Sequence, residues 1–445
     1  MGKDKKELIA LAEKGDKNAQ YELADLYMNA LFAQKKKAFS LFVKAAAQDH
    51  AQAQYRVGRC YELGEGTAED LPAAFVWYEK SAALKNPNGL DAAGECYYRG
   101  IGVLCDHQKA VERFTVAAML GNAHAMWRLG TCYCYGYGVK KDRQAAYRWW
   151  QQAVAQGYNR ALCDVGDCYA YGWGVAQDTK QAVKLYKEAI GKSVADGYAY
   201  MGELYQYGAG DVKRDYAKAL PWFGKASSAF SMRGRYWLGM HYFYYDRYRT
   251  VPIDKETRNK GFLLIQESAT YGYSRAQCEM ARIFDDGYVY CGQTVNHDER
   301  KALEWALKAA GQGNAKAMDH AAGLYIRQKN MEQERYWRKR ASDFGNASAS
   351  DIMCSGYFHG QPKPDYEKAF FYGTRALEQD KDSACKWYVA YMYFKGYGTQ
   401  RDLKKAYDLY KQLDPENYRF KDKGVWREYP QYTEMRVYFT AHRNN

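Results

Sequence analysis

Proline is scarce in this sequence, at 8 in 445 residues. With so few breakers, long helical stretches can run without interruption. Histidine is as sparse, also at 8. None of His107, His124, His241, His297, His320 or His359 sits in the His-Glu-x-x-His spacing of a helical zinc hydrolase. No Gly-x-Ser-x-Gly nucleophile elbow occurs. The local pair His297-Asp298 falls in an expected loop with no third member beside it. The expectation is a non-enzyme with no cofactor; a triad assembled across distant parts of the chain is the one route left to catalysis. No apolar run approaches the roughly 18–20 residues that span a bilayer. The start, "MGKDKKELIALAEKGDK", has no apolar signal core, and Lys6 stands where a myristoylation site wants Ser or Thr. No membrane contact and a cytoplasmic location are expected.

Cysteine is thin for a disulfide framework, at 11. Cys60, Cys96, Cys132 and Cys168 share one register. Equivalent positions in stacked helical repeats lie about 10 Å apart, too far for a disulfide or a common zinc ion. Cys132-Tyr-Cys134 lacks the two-residue gap of a zinc knuckle. These thiols read as small buried core residues, and no metal is expected.

Aromatic residues are abundant: 16% of the chain, with 44 Tyr and 11 Trp. Much of this follows a period. Gly58, Gly94, Gly130, Gly166 and Gly202 are spaced by 36 residues, and Gly239 follows with a one-residue slip. The phase extends back to Ala24 and on to Ala281, Ala322, Cys354 and Ala390. About eleven copies of one unit fill the chain, the signature of a solenoid.

Each copy divides into two helical stretches. In the first, Ala125, Leu129 and Tyr133 stack on one helix face, as do Ala53, Val57, Tyr61 and Ala161, Val165, Tyr169. A glycine at the marker costs helix propensity, about 1 kcal/mol against alanine, which suggests close approach of another backbone. The second helix, "DRQAAYRWWQQAVAQG", presents Ala146, Trp150 and Ala153 and should end in a left-handed cap at Gly157. Between them a Gly-x-Gly recurs six times, from Gly64/Gly66 to Gly396/Gly398. It lacks the third glycine and preceding strand of a dinucleotide fingerprint, and reads as an interhelical turn. Asp70, Asp106, Asp142, Asp178, Asp215 and Asp402 follow as N-caps.

The pattern carried by Ala125, Leu129, Gly130, Tyr133, Gly136, Gly138, Val139, Asp142, Ala146, Trp150 and Ala153 resembles the Sel-one-like repeat, a relative of the tetratricopeptide repeat. The likeness is strong over 52–224 and 384–413 and eroded over 233–377. It implies an all-α fold, a right-handed α-solenoid superhelix of about eleven helix-turn-helix repeats, and an adaptor role in protein complexes. A secreted branch of that family staples its helices with two cysteines per repeat; this chain has at most one in register, in keeping with a reducing compartment. The expected organisation is a capping helix at 1–15, regular repeats over 16–232, irregular then regular repeats with two insertions over 233–413, and a cap or docking tail at 414–445.

If the marker face packs on the second helices, the opposite stripe of each first helix lines a concave groove. That stripe lies two residues before, and one and five after, each marker. It reads Arg56, Arg59, Leu63; Ala92, Glu95, Arg99; Arg128, Thr131, Tyr135; Asp164, Asp167, Tyr171; Tyr200, Glu203, Tyr207; Trp237, Met240, Tyr244. Arginine gives way to acid and then to aromatics, a graded wall suited to an extended protein segment with tyrosines as anchors. The expected partner is a protein or peptide in this groove. The insertions at 242–261 and 285–302 are candidate binding loops. Formal net charge is +13, with 11 Lys and Arg against 5 Asp and Glu over 211–260. An acidic protein surface and, behind it, nucleic acid are therefore secondary candidate partners, nucleic acid being weakened because most aromatics fall at repeat-core positions.

Overall fold

A computed structural model describes residues 5–30, 34–244, 254–290, 293–360, 362–413, 419–422, 425–428 and 430–441. Helices dominate, and twenty-two of them pair in sequence order into eleven hairpins. The chain divides into two compact units, Met1–Ala276 and Gln277–Asn445.

In the first unit the opening helix Lys5–Glu13 buries Leu8 and Ala12 against Ala19 and Leu23. Seven hairpins follow. Their first and second helices are Lys17–Asn29 and Lys35–Ala46, Ala51–Leu63 and Leu71–Ala83, Pro87–Arg99 and His107–Met119, and Ala123–Tyr135 and Arg143–Ala155. Then come Ala161–Tyr171 and Thr179–Gly191, Asp196–Tyr207 and Tyr216–Ser228, and Met232–Tyr244 and Lys255–Thr270. Within this unit the first helices of hairpins two and three, five and six, and six and seven approach each other more closely than the second helices do. The first helices therefore line the inner side of the stack.

The local chemistry matches the repeat grammar. Asp70, Asp106, Asp142, Asp178 and Asp215 each accept a backbone N–H at the start of a second helix. Gly136 ends its helix in the left-handed region at φ 81°, a conformation that costs an L side chain steric strain. Gly157 does the same past its helix at φ 85°.

The marker glycines have a different cause from the one expected. A Cβ on Gly58 would lie 2.5 Å from the Tyr78 ring. Gly94 lies likewise under Phe114, Gly130 under Trp150, Gly166 under Tyr186 and Gly202 under Phe223. Glycine is needed there chiefly to seat a ring of the hairpin's own second helix rather than another backbone. At Gly58 the Ala74 carbonyl also comes within 3.1 Å, and at Gly239 the approach is chiefly backbone to backbone, with the Gly261 carbonyl 2.8 Å from the added Cβ. Backbone contact between repeats is found instead at the second turn glycine. A Cβ on Gly102, Gly138 or Gly174 would strike the carbonyl of Leu71, His107 or Arg143, each in the preceding hairpin. Tyr78, Phe114, Trp150, Tyr186 and Phe223 are all buried, at about 2–3 kcal/mol of hydrophobic stabilisation for each such ring.

The second unit continues with Ser274–Asp286 and Glu299–Gly311, Ala315–Arg327 and Met331–Asp343, Ala347–Phe358 and Tyr366–Gln379, and Lys386–Lys395 and Leu403–Tyr410. Its last helix, Pro430–Ala441, buries Met435 and Phe439 in the core of the eleventh hairpin. Glu434 on that helix accepts from the Tyr391 hydroxyl at 2.9 Å and pairs with Lys395 at 2.7 Å. Two short antiparallel ribbons interrupt the helices: Tyr288–Tyr290 with Gln293–Val295, and Arg419–Asp422 with Val425–Glu428. The first lies in the insertion at 285–302. The core of the other insertion, 245–253, lies outside the described residues.

Candidate interaction surface

The expected wall residues sit on the inner first helices, and several are engaged with one another or with a neighbouring first helix. At four steps the residue one past a marker meets the residue two before the next marker. Asp25 accepts from Arg56 at 2.8 Å. Glu95 takes two N–H bonds from Arg128, with Nη2 at 2.9 Å, and a third cationic contact from Arg99 at 2.9 Å. Glu203 accepts the Trp237 indole N–H at 2.6 Å. Ser355 and Tyr388 repeat the geometry in the second unit at 3.1 Å. Part of the graded stripe is thus a ladder tying neighbouring repeats together.

This ladder sets the exposure of each candidate. Trp237 is 6% exposed and Tyr200 9%, so neither offers a broad contact face. Arg128 and Glu203 are buried. Arg56 also lies 5.1 Å from the centre of the Phe42 ring. Arg59 is exposed, and its ion-pair contact among the described residues is Glu62, at 3.9 Å. Tyr135 and Tyr207 are open at 55% and 47%. Tyr171 is half-buried and leans on Trp173 at 5.4 Å. Tyr244 is half-buried with its ring edge-on to Phe243.

Electrostatics divides the acidic members. Burial raises the Glu95 carboxyl, yet Arg128 and Arg99 overcome it and hold the group below its usual range. Glu203 is likewise held down, against burial, by Arg233. Asp164 and Asp167 behave oppositely. Burial pushes Asp164 up to about 6 and Asp167 up to about 7. Their bonded partners are neutral: the Trp127 indole N–H at 2.8 Å and the Tyr186 hydroxyl at 2.6 Å.

Asp164 and Tyr200 also border a pocket of about 670 Å³ in the first unit. Trp127, Phe230, Tyr271 and Tyr273 supply its aromatic lining, and Arg160, Asp196 and Arg233 its remaining charges. Sequence reading missed Arg160, Asp196 and Arg233. They nonetheless stand in register, each six residues before a marker.

Ten cysteines are free thiols and none is bridged among the described residues; Cys60, Cys96, Cys132, Cys134 and Cys168 are buried. Among the described residues no group of three or more His, Cys, Asp or Glu could hold a metal ion. No described helix is long and apolar enough to cross a membrane.

Nine segments match the Sel1 repeat: 17–50, 51–86, 89–122, 123–158, 159–192, 195–229, 274–314, 353–381 and 383–413. The chain belongs to the Sel1 repeat family. Two matched segments, 274–314 and 353–381, fall where the pattern looked eroded, and the unmatched hairpins at 232–270 and 315–343 keep the same fold. Chitin synthase regulatory factor 3 of Schizosaccharomyces pombe is 29% identical over 146 residues, 31% of this chain and 15% of that protein. Chitin synthase regulator SKT5 of Saccharomyces cerevisiae is 43% identical over 65 residues, 14% of this chain and 9% of that protein. The matches thus span only a small fraction of these curated relatives. A protective antigen of uropathogenic Escherichia coli displaying an SLR fold is similar at 24% identity and a TM-score of 0.46, over 99% of this chain and 91% of that one.

Proposed function

We propose that this Sel1 repeat chain is a non-enzymatic, cytoplasmic scaffold that holds a segment of a partner protein along the inner face of its first helices. The observation that carries the reading is the inner face of the first unit. The ladder holds its helices in fixed register, while Tyr135, Tyr207 and a pocket beside Asp164 stay open. Rigid, partly exposed tyrosines on a pre-ordered wall bind at low entropic cost. Unbridged thiols favour a reducing compartment. Two fungal relatives carry names as regulators of chitin synthase, in keeping with a protein that acts on other proteins.

The test places a photo-crosslinking amino acid at Tyr135 or Tyr207 and, as a control in an exposed interhelical turn, at Leu104. Inner-face adducts that resist nuclease and are absent at Leu104 support the scaffold. Equal labelling at all three sites, or adducts lost with nuclease, rejects it.

A further inference from the structure

The inner-face ladder has no rung between the second and third hairpins, where its two positions hold Arg59 and Ala92, and none on either side of the fifth, where acids are left without a base. Asp25 meets Arg56 and Glu95 meets Arg128, each an acid against a base. From the fourth to the fifth hairpin the same two positions hold Thr131 and Asp164; from the fifth to the sixth they hold Asp167 and Tyr200. Neither aspartate is in an ion pair with any described residue. The cation whose field reaches both is Arg233. Its Nε and Nη2 are taken by Glu203 at 2.5 and 2.8 Å, and its guanidinium lies 3.7 Å from the centre of the Tyr200 ring. Arg160 is mostly exposed and stands 3.5 Å from Asp196. Both arginines at the pocket are therefore already matched to carboxylates, while Asp164 is matched to an indole.

The pocket at this gap measures about 670 Å³, within the roughly 300–1,000 Å³ of small-molecule sites. Trp127, Tyr200 and Tyr273 line it. A carboxylate without an ion-pair partner attracts a cation by direct Coulomb interaction, and the half-buried Trp127 and Tyr273 offer apolar surface beside it for the methylenes of a long basic side chain. A free anion would meet Asp164 and Asp196 and find no uncommitted base.

We propose that this pocket receives a basic side chain, lysine or arginine, from the partner segment, with its charge against Asp164 and its methylenes against Trp127 and Tyr273. The inference rests on the scaffold reading and specifies what the held segment must carry. The occupant completes the rung at Asp164 by supplying the cation that Arg56 and Arg128 provide elsewhere.

The Trp127 indole N–H, which donates to Asp164, is a direct reporter by nuclear magnetic resonance. Nα-acetyl-arginine amide and Nα-acetyl-lysine amide should each shift its signal saturably, and Nα-acetyl-citrulline amide should bind at least tenfold more weakly. Asp164→Asn keeps an acceptor for the indole and should weaken arginine amide binding at least tenfold with the spectrum otherwise unchanged. Equal binding of citrulline amide, an Asp164→Asn protein that binds arginine amide as well as the parent, or no saturable shift each overturns the proposal. Failure here with inner-face crosslinks intact removes the basic anchor and leaves the scaffold standing. Loss of inner-face crosslinking with arginine amide binding intact removes the scaffold reading, and the partner-segment assignment with it.

Discussion

The indole of Trp150 lies directly over Gly130, filling the space that a side chain at that position would need. Trp150 also donates its N–H to the Trp127 carbonyl at 3.1 Å. Ring and glycine belong to the two helices of one hairpin, so the pair fixes how closely those helices pack. Gly130→Ala should therefore destabilise the chain although alanine is the better helix former. The helical gain is about 1 kcal/mol, against an overpacking cost of about 1–3 kcal/mol. Urea denaturation should show a net loss, and Gly130→Ala with Trp150→Leu should recover part of it relative to Trp150→Leu alone. A more stable Gly130→Ala protein would show that the ring moves aside freely.

The buried Glu95–Arg128 pair should respond asymmetrically to mutation. Glu95→Ala strands Arg128, whose side chain is 10% exposed, and should cost about 3–5 kcal/mol. The double variant with Arg128→Ala should cost less than the sum of the two singles, because no uncompensated charge remains. A double-mutant cycle with no coupling would mean that the pair is not formed in solution.

Asp164 and Asp167 make stability depend on pH in the direction opposite to an ordinary ion-paired carboxylate. Their folded values of about 6 and about 7 lie above the usual unfolded aspartate, so folding takes up protons. Their contribution is fully present below about pH 4 and is lost as pH rises through 6 to 7. Asp164→Asn with Asp167→Asn should flatten this part of the curve, the double variant gaining stability relative to the parent as pH rises from 4 to 8. Unfolding free energies at the two pH values check it; the same slope in parent and double variant refutes the assignment.

Burial raises the thiols of Cys60, Cys96, Cys132 and Cys134 to about 11 or 12. Little thiolate exists at neutral pH, so these groups should alkylate with iodoacetamide far more slowly than free cysteine. Mass spectrometry of the native protein should find them unmodified, with full labelling after denaturation. Rapid native labelling of Cys132 would mean that the fourth hairpin opens.

The repeat was legible because its signal is periodic. Capping aspartates, turn glycines and the aromatic at one register all recur at fixed offsets, and each has a local reason. The inner face was legible as a stripe but not as a ladder. Glu95 and Arg128 lie 33 residues apart, and nothing in the letters says that they touch until the stacking offset between hairpins is known. The same holds for Asp164, whose importance comes from the base missing opposite it. Gly130 was read as a backbone contact because glycine reports lack of space without saying what occupies it. The ring of Trp150 became visible as the cause only once the two helices were packed.

The ladder also decides which wall substitutions test binding cleanly. Arg56 is held by Asp25 and by the Phe42 ring, so Arg56→Glu should lower the melting temperature by several degrees and confound any binding result. The ion-pair contact of Arg59 among the described residues is Glu62, at 3.9 Å, in the range where a surface pair contributes little. Arg59→Glu should leave melting nearly unchanged. Tyr135→Ala and Tyr207→Ala remove rings that are more than 45% exposed, so they should melt within a few degrees of the parent while weakening capture of the crosslinked segment tenfold or more. Unchanged capture in both tyrosine variants and in Arg59→Glu would place the partner on another face. The ladder would then be purely structural, and the inner wall would serve to hold the hairpins in register.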